Sequence, residues 1–183
     1  PEVVAALPCS LELRLAGWLR GTRAEAILLG LRFGQRRARA VARLLARHPI
    51  ERQPCRGDAD LRRLLARVGE EGVDALLALR RAELAAAGAS SAALDALAER
   101  LARVRAQGAL ALQRGDLALG GADVMAVLGI PPGPRVGEAL RHLAEAVLED
   151  PACNTREALT ERLRAWAAAQ PPDAPGPRRS GGG

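Results

Sequence analysis

Helical periodicity runs along most of this chain, and leucine, valine and alanine carry it with almost no aromatic contribution. Trp18, Trp166 and Phe33 are the aromatic residues among 183, and Tyr is absent. A core without large rings is filled by helices that approach closely through small side chains. The spacing places Leu11, Leu15, Trp18 and Leu19 on one helical face, and Ile27, Leu28 and Leu31 on another. Residues 35–48 read as an amphipathic helix in which Val41, Leu44, Leu45 and His48 share the apolar side. Asp58 is the expected N-cap of a helix carrying Leu61, Leu64, Leu65 and Val68. After a break at Gly69 and Gly72, Val73, Leu76, Leu77, Leu79 and Leu84 predict a longer helix that Gly88 ends. Ser90 or Ser91 opens the next, with Leu94, Leu97, Leu101 and Val104 on its face. Beyond a short apolar stretch at Leu110–Leu112, a helix is expected from about Val136 to Glu149, stopped by Pro151. A last one is capped by Asn154 and Glu157 and ends near Ala168.

The expected fold is therefore all-α: a multi-helix, bundle-like array with short Gly/Pro turns. Its C-terminal tail from Gln170, rich in Pro, Gly and Arg, is expected to be disordered. Punctuation suggests helical regions over 1–57, 58–109 and 110–169, with the tail at 170–183. A composition of 49% hydrophobic and 26% charged residues excludes a chain disordered over most of its length. No run approaches the roughly 20 apolar residues of a membrane span, and no signal peptide is visible. Cys9, Cys55 and Cys153 are far apart and odd in number, which argues against a disulfide framework or a zinc site and fits a reducing cytoplasm. The chain opens on Pro1 within an apparently helical region, as a processed product or a piece of something longer would.

Charge is spread unevenly. Residues 1–57 hold 11 Arg against 4 acids, whereas residues 58–170 hold 14 Arg against 16. All 27 basic residues are Arg. A codon bias accounts for that on its own, yet Arg is also the side chain that grips phosphate in a bidentate fork. Arg36, Arg39, Arg43 and Arg47 lie opposite the apolar side of the 35–48 helix, the last three at i, i+4 and i+8. Two readings stand: a solvated helix face, or a track for RNA phosphates. The scarcity of aromatics excludes a binder that stacks bases on ring platforms.

Catalytic chemistry has little to work with. The two histidines, His48 and His142, read as structural or surface residues, and no nucleophile elbow, P-loop or zinc ligand set occurs. No catalytic and no metal-binding residue is expected. One local feature carries a mechanism: Gly129-Ile-Pro-Pro-Gly133-Pro-Arg135-Val-Gly137, a glycine-rich turn opening a helix. Gly133, Arg135 and Gly137 would hold a phosphate through backbone donors, the helix dipole and one guanidinium. Ordinary helix–helix turns use the same residues.

Taken in order, several segments resemble the C-terminal region of bacterial CCA-adding tRNA nucleotidyltransferases. They are Gly115-Asp-Leu-Ala-Leu-Gly-Gly-Ala-Asp-Val-Met125, Gly133-Pro-Arg-Val-Gly137 with Leu140, and Asn154-Thr-Arg-Glu-Ala-Leu159 after Val147 and Pro151. Upstream, Leu61-Arg-Arg-Leu-Leu-Ala-Arg-Val-Gly69 and Leu76-Leu-Ala-Leu-Arg-Arg-Ala82 resemble the family's middle helices, with Glu83 in place of the commoner Asp. Residues 13–23 resemble the segment where many relatives carry an HD metal motif, but the His and Asp positions are Arg20 and Gly21. His48 matches a later histidine of those relatives. The resemblance implies a tRNA-binding body and tail that hold tRNA by phosphate and shape contacts. Nucleotide addition from CTP and ATP, with its paired carboxylates and Mg2+, belongs to an N-terminal head absent from this sequence. The chain alone is then expected to be inactive and to need no cofactor, with tRNA as its partner. Two alternatives remain: a degenerate HD-type phosphohydrolase, and a stand-alone helical nucleic-acid adaptor.

Overall fold

The computed structural model describes residues 2–107 and 117–170, and every regular element among them is helical. The chain divides into two compact units, Pro1–Ala111 and Leu112–Gly183. The Leu110–Leu112 stretch and the tail from residue 171 lie outside the described residues.

The first unit contains α1 (Glu2–Ala5), α2 (Leu11–Trp18), α3 (Ala24–Gly30), α4 (Gln35–Leu45), α5 (Asp58–Val68), α6 (Glu70–Ala86) and α7 (Ala92–Ala106). A single 3-10 turn, Ile50–Arg52, joins α4 to the segment before α5. Helix α6 serves two cores at once. Its Val73, Leu76, Leu77 and Leu84 pack with Ile50, with Leu61, Leu64 and Leu65 of α5, and with Leu94, Leu97, Leu101 and Val104 of α7. Its Leu79 and Ala82 pack with Leu7, with Leu13 and Ala16 of α2, Leu28 of α3, and Ala38 and Val41 of α4. Each fully buried leucine contributes about 1.5–3 kcal/mol relative to exposure. The division expected after Gly57 runs through this unit, since Ile50 and Leu61 share one core.

The apolar stripe of α2 differs from the one its leucine spacing predicts. Leu13, Ala16 and Gly17 are the buried residues, while Leu11 and Trp18 are exposed, Trp18 at 73%. Small residues decide this. A Cβ on Gly17 would stand 2.8 Å from a methyl of Leu7, so the helix seats its Ala16–Gly17 edge against the chain before it. Trp18 would hold the helices apart at that seat, and it turns outward instead. In α3, Leu28 is fully buried whereas Ile27 and Leu31 are exposed.

Two caps also sit one residue from their expected places. Gly57, not Asp58, is the N-cap of α5, and the Asp60 carboxylate accepts the N–H groups of Arg56 (2.9 Å) and Gly57 (3.3 Å). Those bonds, Gly57's first, hold the Asp60 pKa below its usual value. At the last helix Thr155 is the N-cap and accepts from the Ala158 N–H, whereas Asn154 Oδ1 accepts the Ala118 N–H at 2.9 Å. Asn154 is thus spent on a link between distant segments.

The second unit contains α8 (Gly121–Leu128), α9 (Pro134–Glu149) and α10 (Arg156–Ala169), with a 3-10 turn at Pro151–Cys153. Leu119, Val124, Ala139, Leu143, Val147, Cys153, Leu159 and Leu163 form its core. Gly129 closes α8 in the left-handed region (φ 63°), which a side chain would strain. His142 is exposed and stacks on Trp166, ring centroids 6.0 Å apart. Arg156 pairs with Asp123, tying α10 to the first turn of α8.

Candidate nucleic-acid interface

Helix α4 presents a basic outer face because its buried residues are small and few. Ala38 and Val41 are fully buried, and the rest of its inner side is the partly buried Leu44 and Leu45. Arg36, Arg39 and Arg43 are exposed and Arg47 is half-buried. Gly34 starts the helix and no acid lies in its first turn. The four arginines differ in what engages them. The Arg36 charge acts on Glu12, Arg37 pairs with that same Glu12 at 2.9 Å, and Arg39 approaches Glu25 at 3.8 Å. Arg47 donates to the carbonyl of Arg43 at 3.1 Å, and neither Arg43 nor Arg47 meets an acid among the described residues.

Arg43 and Arg47 also line a groove of about 380 Å³, together with Ala40 and Leu44 of α4, Arg67 and Val68 of α5, and Gly72 of α6. Arg67 reaches this place from the end of a different helix, and sequence periodicity gave no reason to group it with the α4 arginines. The turn residues Gly133, Arg135 and Gly137 lie in the second unit. Gly133 is the N-cap of α9, Pro134 occupies its first position, and no side chain caps it. Arg135 is half-buried, with Gly133 and Gly137 exposed.

A second charge cluster lies where α2 ends and α6 passes, and it joins Arg20, His48 and Glu83, which the resemblance had singled out separately. Glu83 is at its centre. Its carboxylate accepts from Arg20 and, at 3.1 Å, from Arg80. Arg20 also donates to Gly17 O at 2.8 Å, and Arg80 to Glu51 of the 3-10 turn. His48, which lies past the end of α4, brings Nε2 within 2.9 Å of Glu83, without the alignment of a hydrogen bond. Burial is the main cause that lowers the His48 pKa from 6.5, outweighing the opposing attraction of Glu83. This cluster occupies the place where the HD-like reading would look for a metal. The donors do not suit one: Arg20 brings a cation to the position of a ligand, and Glu83 already serves two guanidiniums. Among the described residues no three His, Cys, Asp or Glu side chains gather as a metal site.

The His48 environment sets a pH response. Its pKa is depressed in the folded chain, so below 6.5 the unfolded chain binds the proton more readily. The stability His48 contributes is therefore present above 6.5 and is lost as pH falls toward the folded value. Urea denaturation between about pH 7.5 and pH 5.5 should show this decline. His48→Gln should flatten it, and an identical decline in the variant would place its origin elsewhere.

Comparison with known proteins is consistent with this architecture. The tRNA nucleotidyltransferase domain 2 family matches residues 14–163, and the chain belongs to that family. An A-adding tRNA nucleotidyltransferase of Deinococcus radiodurans is 43% identical over 91 residues, covering 49% of this chain and 21% of the relative. A crystallised CCA-adding enzyme of Bacillus stearothermophilus, in complex with CTP, shares the fold with a TM-score of 0.69 at 23% identity. That match covers 90% of this chain and 41% of the neighbour. The chain thus spans less than half the length of either relative. Among the described residues no helix is long and apolar enough to cross a membrane.

Proposed function

We propose that this chain is the tRNA-holding portion of a tRNA nucleotidyltransferase, gripping the RNA through phosphates and overall shape while a catalytic head elsewhere in the longer protein adds nucleotides. The observation that carries the reading is the α4 face. Arg36, Arg39 and Arg43 stand outward, opposite the fully buried Ala38 and Val41, with the half-buried Arg47 in the turn that follows, in a segment that holds 11 Arg against 4 acids. Guanidiniums on a rigid helix suit phosphates at fixed spacing and read no base, which matches a partner recognised by shape. The Gly133–Gly137 turn adds a helix N-terminus with Arg135 beside it in the second unit. Mg2+ and the nucleotides CTP and ATP belong to the head in this reading, and this chain alone transfers nothing.

Competition at one fixed salt concentration tests it. A tRNA should displace a labelled tRNA from this chain far better than duplex DNA of equal phosphate content. Equal displacement by the DNA would instead support a general helical nucleic-acid adaptor.

A further inference from the structure

We propose that Arg43, Arg47 and Arg67 form a seat for one phosphodiester group of the bound RNA, in the groove between α4 and the α5–α6 junction. The inference rests on the tRNA-holding reading and adds to it a place and a residue, Arg67, that the α4 pattern does not contain. Three features build the seat. The first is convergence: Arg43 comes from α4, Arg47 from the turn that follows it and Arg67 from the end of α5, and all three line the same groove of about 380 Å³. None of the three meets an acid among the described residues, whereas several other arginines of this unit do: Arg37 meets Glu12, Arg80 meets Glu51 and Glu83, and Arg105 meets Asp74. Three guanidiniums brought together without counter-charge repel one another, and a phosphate relieves that repulsion while accepting their N–H groups.

The second feature is the shape of the floor. Gly72 is half-buried in the groove lining, and a Cβ there would come within 2.7 Å of Val68 Cγ1. The absence of a side chain keeps the space open beside α6. The third is the neighbouring helix end. Gly69 is the N-cap of α6, no side chain caps the helix's first N–H groups, and its dipole adds positive potential near the groove. Glu70 and Glu71, the acids of that first turn, are exposed and are not part of the lining. Apolar Ala40, Leu44 and Val68 complete the walls.

The test uses the full chain and tRNA, with dissociation constants measured from about 50 to 200 mM salt. Arg67→Gln should weaken binding several-fold and reduce the slope of log K against log salt by about 1. Arg67→Lys, which keeps the charge, should recover most of that slope. Arg103→Gln, which removes an exposed charge of α7 outside the groove, should leave the slope nearly unchanged. Helical circular dichroism checks that each variant is folded. Equal effects of Arg67→Gln and Arg103→Gln would overturn the seat, because net charge alone would then explain them. A parallel titration with inorganic phosphate, followed through the arginine side-chain NMR signals, separates the sources. Tight phosphate binding at Arg67 together with a tRNA slope indifferent to Arg67→Gln would make free phosphate the occupant and overturn the assignment to RNA. Salt-dependent tRNA binding that ignores Arg67→Gln removes the seat and leaves the tRNA-holding reading standing. A parent chain that does not bind tRNA removes both.

Discussion

Glu83→Ala should cost the first unit about 2–3 kcal/mol of stability, read as a lower urea midpoint at unchanged slope. Removing one member of a buried ion pair usually costs more, but Arg20 is 32% exposed on its side chain and water compensates part of the loss. The effect is large because one carboxylate serves two guanidiniums from different parts of the chain. Without it, Arg20 and Arg80 are left without their shared counter-charge, beside a histidine whose charged form burial disfavours. Alanine's higher helix propensity returns only a few tenths of a kcal/mol. A double-mutant cycle with Arg20→Met isolates the pair: a coupling near zero would mean that solvent already screens it. The cluster is then best understood as an ionic joint holding the end of α2, the Ile50–Arg52 turn and α6.

Arg39, Arg43 and Arg47 changed together to Gln should weaken tRNA binding by about 100-fold near 100 mM salt, with the salt slope reduced by about 2–3. Each exposed guanidinium contributes a counterion-release increment and little to folding, so the variant should melt like the parent. Arg39 has a weak competitor in Glu25 at 3.8 Å, and its share should be the smallest of the three. A triple variant that binds as the parent does would show the α4 face to be merely solvated.

The helices were legible in the sequence because leucine and valine spacing repeats every three to four residues wherever a helix meets the core. Val41, Leu61, Leu76, Leu94 and Leu101 are all buried, as their periodicity requires. The basic α4 face was legible for the same reason, as the complement of Ala38 and Val41. Periodicity failed on α2, which is eight residues long and carries two competing stripes. There the close approach of Gly17 to Leu7 decided the matter, and such proximity is a property of the packed chain that no local pattern encodes. Caps slipped by one residue because Asp60 and Thr155 are as good acceptors as their neighbours Asp58 and Asn154, and only the path of the backbone chooses between them. The partners of Arg67 and Glu83 were beyond sequence reasoning for a further reason. Arg67 joins Arg43 and Arg47 across a helix junction, and Glu83 joins Arg20 and His48 from 63 and 35 residues away. The order of motifs did signal the family, since it survives even where single residues depart from the pattern, as at Arg20, Gly21 and Glu83.

The measurement that bears most directly on the account is the salt dependence of tRNA binding by the unmodified chain. Plotted as log K against log salt from about 50 to 200 mM, it should give a straight line with a slope of at least about −3, because four outward arginines on α4 and those joining them release counterions together. A flat line, or no binding at the lowest salt, would contradict the claim that this part of the molecule holds tRNA by its phosphates.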